Sequence, residues 1–171
     1  MLPGGRAAGP VGPVSSPKVR SVHYAARMKP IVIATDLSQN SEPAITQGLT
    51  LARDLGAEAI LVHAWEPPAF MMLDIALTTP PSQVAEQVTR LQRRLDEVTS
   101  EHRAEGVRVS ARLLEGPAAD TIIAAARELD ARFIVVGSVT PRTLSRLLGS
   151  TGDAVVRGAH CPVLLVHAHP H

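Results

Sequence analysis

The chain has 171 residues, 45% hydrophobic and 19% charged, enough for one domain with a real core and few for two. Aromatic residues make up only 2%, and the net charge is +1 with no basic block, so neither stacking platforms for single strands nor phosphate-backbone binding has support. No apolar run approaches a membrane span, and a lone cysteine, Cys161, excludes an internal disulfide.

Residues 1–27 carry four basic residues and no acidic one. They are rich in Gly, Pro and Ala, lack hydrophobic periodicity and have no apolar core of a secretory signal. The expectation is a disordered N-terminal extension, or an upstream start codon chosen over Met28. An organelle transit peptide is the sharper alternative, but the amphipathic pattern it needs is missing. Residues 28–171 hold 13 basic against 16 acidic residues, a mildly acidic domain expected in the cytoplasm.

From Met28 the chain alternates between two periods. "IVIA" (31–34) is a short continuous apolar run and reads as a buried strand. "TDLSQNSEP" follows as a polar loop, in which Asn40 or Ser41 can cap a helix and Pro43 fits its first turn. Ala44, Ile45, Leu49, Ala52 and Leu55 form its apolar face, and Gly56 closes it. "AILVHAW" (59–65) is the second strand. Residues 66–81, with four prolines, read as a long irregular connection. Val84, Val88, Leu91, Leu95 and Val98 mark a long amphipathic helix, too short for a coiled coil and ended by Gly106. "VRVSARLL" (107–114) alternates like a half-exposed edge strand. A helix follows with Ile122, Ala125, Ala126 and Leu129 inward. "FIVVG" (133–137) is a buried strand, 149–158 a last helix, and "PVLLVH" (162–167) a final strand.

This β-α-β-α-β-α-β-α-β order implies an α/β fold: a parallel sheet with right-handed crossovers and helices on both faces. Ligands in such sheets bind beyond the carboxyl ends of the strands, here the segments after Ala34, His63 and Val136. The final strand is as apolar as a central one. At an edge it would invite pairing with a partner chain.

Dinucleotide, P-loop and hydrolase-elbow motifs are absent, and no lysine lies beyond Lys29. What remains is the stretch "VVGSVTPRTLSRLLGSTGDAVV" (135–156). Gly137 ends a strand where backbone can approach a ligand closely. Gly149, Ser150 and Thr151 stand where the last helix begins, and free N–H groups with the helix dipole attract an anion there. The pattern is a triphosphate cradle without a lysine. His63 reads as a packed strand residue. His167, His169 and His171 form H-x-H-x-H, either a frayed tail or a metal-binding run. Cys161 reads as a small buried hydrophobe.

From Met28 to the end the chain resembles the universal stress protein family. "MKPIVIATDLS" and "AILVHAWEP" look like its first two strands; "LLEGPAADTIIAAARELDARFIVVGS" and "RLLGSTGDAVVRGAHCPVLLV" match its last third. The resemblance implies a five-stranded Rossmann-like sheet of order 3-2-1-4-5, of the adenine nucleotide alpha hydrolase-like kind, in a single domain over 28–171. It also implies a homodimer through strand 162–167, and ATP binding through G-x2-G-x9-G-[ST], with Mg²⁺ held through the phosphates. Gly137, Gly149 and Ser150 match that motif. Thr140 stands at the second glycine, and eight residues rather than nine separate it from Gly149.

By the same resemblance Ala34 and Thr35 belong to the nucleotide site, and Asp36 faces the ribose or adenine side or is only a polar end to the first strand that orders the next loop; Val62 matches a position whose backbone borders the adenine, though it would be a core valine in any case. Ser138 and Thr151 touch phosphates or cap, and Arg142 reaches a phosphate or stays in solvent. No general base or nucleophile is evident, so the expected function is regulatory or protective binding of an adenine nucleotide, with at most slow ATP hydrolysis. The competing expectations are a nucleotide-free dimerisation and interaction module, favoured by Thr140 and the shortened spacing, and a small phosphatase or hydrolase, which would need a base near the loop.

Overall fold

The structure, a computed structural model, describes residues 28–67, 69–72, 75–78, 80–103, 106–138 and 150–167. The N-terminal extension expected over residues 1–27 lies outside the described residues, as do Thr140, Arg142, Gly149, His169 and His171.

Five strands form one parallel sheet: β1 (Ile31–Ala34), β2 (Ala59–Trp65), β5 (Val109–Glu115), β6 (Phe133–Ser138) and β7 (Val163–His167). Their order is β5-β2-β1-β6-β7. Counted along the chain within this sheet, that is 3-2-1-4-5. Between them run α1 (Glu42–Leu55), α2 (Pro81–Glu101), α3 (Ala118–Glu128) and α4 (Ser150–Gly158).

Alternation along each strand sorts its side chains onto two faces. Ile31 and Ile33 of β1, Leu61 of β2 and Val135 of β6 join a core with Ile45 and Leu49 of α1 and Leu95 and Val98 of α2. Val32, Val62, Ile134 and Val136 point the other way, into a core with Ile122 and Ala126 of α3 and Val155 of α4. Both faces are covered, which is why the central strands read as unbroken apolar runs. Each fully buried Ile or Leu contributes about 1.5–3 kcal/mol.

Helix α1 packs tightly on the sheet at Gly48. A β-carbon placed on Gly48 would fall 2.5 Å from Ile33 Cδ1, so a larger residue there would force the Ile33 side chain or the helix to shift. The helix ends at Gly56, whose φ of 62° lets its N–H reach the Ala52 and Arg53 carbonyls. At the opposite end of the layer, His102 ties α2 to α1: its Nδ1 lies 2.8 Å from the Val98 carbonyl and its Nε2 3.1 Å from Glu42 Oε1.

Two expectations need correction. The connection over 66–81 contains an antiparallel hairpin, β3 (Ala69–Met72) with β4 (Ile75–Thr78), in which Phe70 opposes Leu77 and Met72 opposes Ile75. The prolines sit in two pairs, at 67–68 and 80–81, and bracket the apolar runs without interrupting them. The second concerns the cap before α1. A short 3-10 turn, Gln39–Ser41, precedes the helix, and Ser38 caps it, accepting from Asn40 N–H at 3.2 Å. Ser41 makes no capping bond and turns its hydroxyl inward. Among the described residues no helix is long and apolar enough to cross a membrane.

Candidate functional site

In a parallel sheet every crossover helix begins near the carboxyl ends of the strands. Here the turn after β1 and the first residues of α3 and α4 converge on one cavity of about 250 Å³. Its floor and sides come from Ala34, Thr35 and Asp36 after β1, His63 and Ala64 of β2, and Val136, Gly137 and Ser138 of β6. Asn40, Ser41, Ala118, Ile122, Thr151 and Gly152 complete it.

The β1 side is held by a hydrogen-bonded turn. Thr35 Oγ1 accepts from Leu37 N–H at 3.0 Å and lies 2.8 Å from Ser41 Oγ. Ser41 donates to the Ser38 carbonyl at 2.9 Å, which leaves Thr35 as the donor of the Thr35–Ser41 pair. Asp36 Oδ1 accepts from Ser38 N–H at 2.9 Å and from Ser38 Oγ at 2.7 Å. Partial burial works against the Asp36 charge, but the hydrogen bonds around it, led by the two from Ser38 and joined by Ser41 and its own backbone, together outweigh burial and hold the carboxyl below its ordinary value of 3.8. The turn closes through Leu37 at φ 61°, a left-handed conformation that a leucine adopts at a cost of about 1–2 kcal/mol. The Leu37 side chain packs against the core formed with α1 and α2, which offsets part of that cost.

The β6–α4 side differs in kind. Gly137 does not have positive φ, and a β-carbon there would meet Ala44 Cβ and the Asn40 carbonyl at 3.8 Å, ordinary contact. Among the described residues, neither backbone conformation nor packing therefore requires glycine at 137. Thr151 and Gly152 lie in the first turn of α4, whose leading N–H groups have no partner within the helix. Ser138, 2% exposed, places Oγ 2.6 Å from His167 Nδ1 on β7.

Of the residues expected at a site, the fold brings Ala34, Thr35, Asp36, Gly137, Ser138 and Thr151 to the cavity. Ser150 opens α4 beside them. Thr140, Arg142 and Gly149 lie outside the described residues. Val62 is fully buried, and its carbonyl accepts from Thr35 N–H at 3.0 Å; the cavity is bordered by His63 and Ala64 instead. His63, expected as a packed strand residue, is half-buried with Nδ1 2.8 Å from the Thr35 carbonyl. Sequence reasoning also missed Gly152, Ala118 and Ile122. Their signal was positional: each lies in the first turns of a helix that follows a strand of the sheet.

A model of the universal stress protein family matches residues 28–167. The chain belongs to the universal stress protein family. A universal stress protein of Methanocaldococcus jannaschii is 32% identical over 144 residues, covering 81% of each chain. One from Thermus aquaticus is 36% identical over 142 residues, covering 81% of this chain and 98% of its own. Among solved structures, a universal stress protein in complex with cAMP superposes with a TM-score of 0.66 at 26% identity, over 82% of this chain and 98% of that one. One from Archaeoglobus fulgidus in complex with dAMP gives 0.61 at 26% identity, with the same coverage. As a universal stress protein, the chain has the family's sheet, of order 3-2-1-4-5 with helices on both faces.

Proposed function

We propose that this universal stress protein binds an adenine nucleotide in the cavity at the carboxyl ends of β1, β2 and β6, and acts as a regulatory or protective protein through that binding. The observation that carries the reading is Gly137: a glycine that neither its backbone nor its packing against the described residues requires, on the cavity wall beside the first turn of α4. Removing the side chain there opens the backbone to a ligand, and the helix start favours an anionic one. Relatives of similar fold support the adenine class, since their structures hold cAMP and dAMP.

ATP is the fuller form of the ligand in this reading. Asp36 is the one carboxylate among the described lining residues, and its Oδ1 is committed to Ser38. Magnesium would accordingly be held through the phosphates. The protein would act in the cytoplasm as a homodimer through strand 162–167. Supporting this pairing, β7 lies at the sheet edge and Leu164 is 38% exposed on it.

A second reading, a nucleotide-free interaction module, is favoured by the cavity's charge. Among the described residues its lining carries no Lys or Arg, and Asp36 has the same sign as a phosphate. Calorimetric titration with ATP and AMP decides between them. Saturable binding that Gly137→Val abolishes supports the nucleotide reading; no saturable binding at millimolar nucleotide overturns it.

A further inference from the structure

Ser138 and His167 are the last residues of β6 and β7 and face each other in the parallel ladder. Ser138 borders the cavity. In the single chain His167, the last residue of the strand proposed above as the dimer seam, is exposed and lines a groove together with Leu37, Glu42 and Arg94. The Ser138–His167 hydrogen bond of 2.6 Å therefore links the cavity to that groove.

A hydroxyl has one proton to give. If His167 Nδ1 is a lone pair, Ser138 donates to it and offers the cavity only oxygen lone pairs. If Nδ1 carries a proton, His167 donates and the Ser138 proton is released toward the cavity. The neutral ring reaches either state by tautomer, whereas the imidazolium reaches only the second. It also sets a positive charge directly behind the hydroxyl. An anionic oxygen in the cavity thus completes a chain from ligand to Ser138 O–H to His167 Nδ1–H.

We propose that His167 is a positioning residue of the cavity: it turns Ser138 into a hydrogen-bond donor toward a phosphate-bearing ligand, and protonation of His167 tightens that ligand. This rests on the nucleotide reading above and adds to it a residue, a direction and a dependence on pH. Among the described residues, the other charged groups nearby have partners of their own. Glu42 and Arg94 share the groove with His167 but bond to His102 and Glu97, while Asp36, in the cavity, bonds to Ser38. Asp153 and Arg157 on α4 pair with each other. His63 lines the cavity and is engaged by the Thr35 carbonyl.

The probe is cAMP, a phosphodiester whose single charge stays constant from pH 5.5 to 8. Native protein should bind it about 3- to 10-fold more tightly at the acid end, the gain of a charge-assisted hydrogen bond over a neutral one. His167→Asn offers an N–H in the Nδ1 position and does not titrate. It should bind cAMP at pH 8 as the native protein does, with the slope flattened. His167→Leu and Ser138→Ala should bind several-fold more weakly, also with little slope. By reciprocity, the His167 ring should titrate at higher pH when cAMP is bound, which NMR reads directly. Equal slopes in the native protein and His167→Asn overturn the inference, as does native affinity in Ser138→Ala. If cAMP binds with parallel slopes, this inference falls and the nucleotide reading stands. If no form binds cAMP at any pH, this inference falls, and the titration with ATP and AMP described above decides the nucleotide reading separately.

Discussion

On the β1 side of the cavity, Thr35, Asp36, Ser38 and Ser41 hydrogen-bond one another and the backbone between them. On the β6–α4 side the lining is Gly137, Gly152, Thr151 and a serine whose partner is on the neighbouring strand. The first side is polar in sequence but largely satisfied within itself, and its polar atoms serve chiefly to hold a left-handed turn at Leu37. The second has no charged side chain among the described residues, only the hydroxyls of Ser138 and Thr151 between glycines, and it carries the backbone donors of a helix start. In such a cavity the residues that look most chemical need not be those that meet the ligand. A polar group already hydrogen-bonded gains little from a new partner, while a helix's first N–H groups gain a full one.

That contrast can be broken from either side. The largest effect is expected from Thr35→Val. It removes the acceptor of Leu37 N–H and the donor to buried Ser41, and should cost about 1–3 kcal/mol in urea denaturation. A midpoint unchanged from the native protein would mean the turn does not depend on this web. Gly137→Ala should do the opposite. Its β-carbon meets only ordinary contacts, so thermal stability should hold within about 1 kcal/mol while nucleotide affinity drops roughly 10-fold. Equal affinity for native and variant protein would show that the ligand does not approach this backbone.

Acid titration sharpens the comparison further. The Asp36 carboxyl is lowered in the fold from 3.8, so its contribution to stability is complete above that value and is lost as pH falls through the lower folded value. Asp36→Asn should therefore flatten the loss of stability between about pH 5 and pH 2, measured by denaturant midpoints at each pH. Parallel acid limbs would remove the Ser38 clamp from the account. The smallest effect belongs to Ser38→Ala, on the exposed rim of the turn. It should cost about 0.5–1.5 kcal/mol, the usual range for a lost cap or hydrogen bond, and leave nucleotide affinity within about twofold. A larger loss of affinity than of stability would move this serine into the binding surface.

The amino-acid sequence by itself determined the five sheet strands, the two-faced core and the end of the sheet at which a site must lie. Period-two alternation and buried apolar runs are local properties, and a parallel sheet then fixes where its helices start. It also singled out Gly137 and the start of α4, because a glycine at a strand end and hydroxyls at a helix start are visible without neighbours. Only the tertiary structure decided which residues of β2 reach the cavity. Ala34, the last residue of β1, is in register with Val62, so Val62 is still inside the ladder; Ala64, two residues on and of the same parity, is beyond it. Likewise, Ser138 and His167 are 29 positions apart in the chain and meet only because β6 and β7 pair in one register. Register between strands is a property of packed faces, and no stretch of sequence read alone contains it.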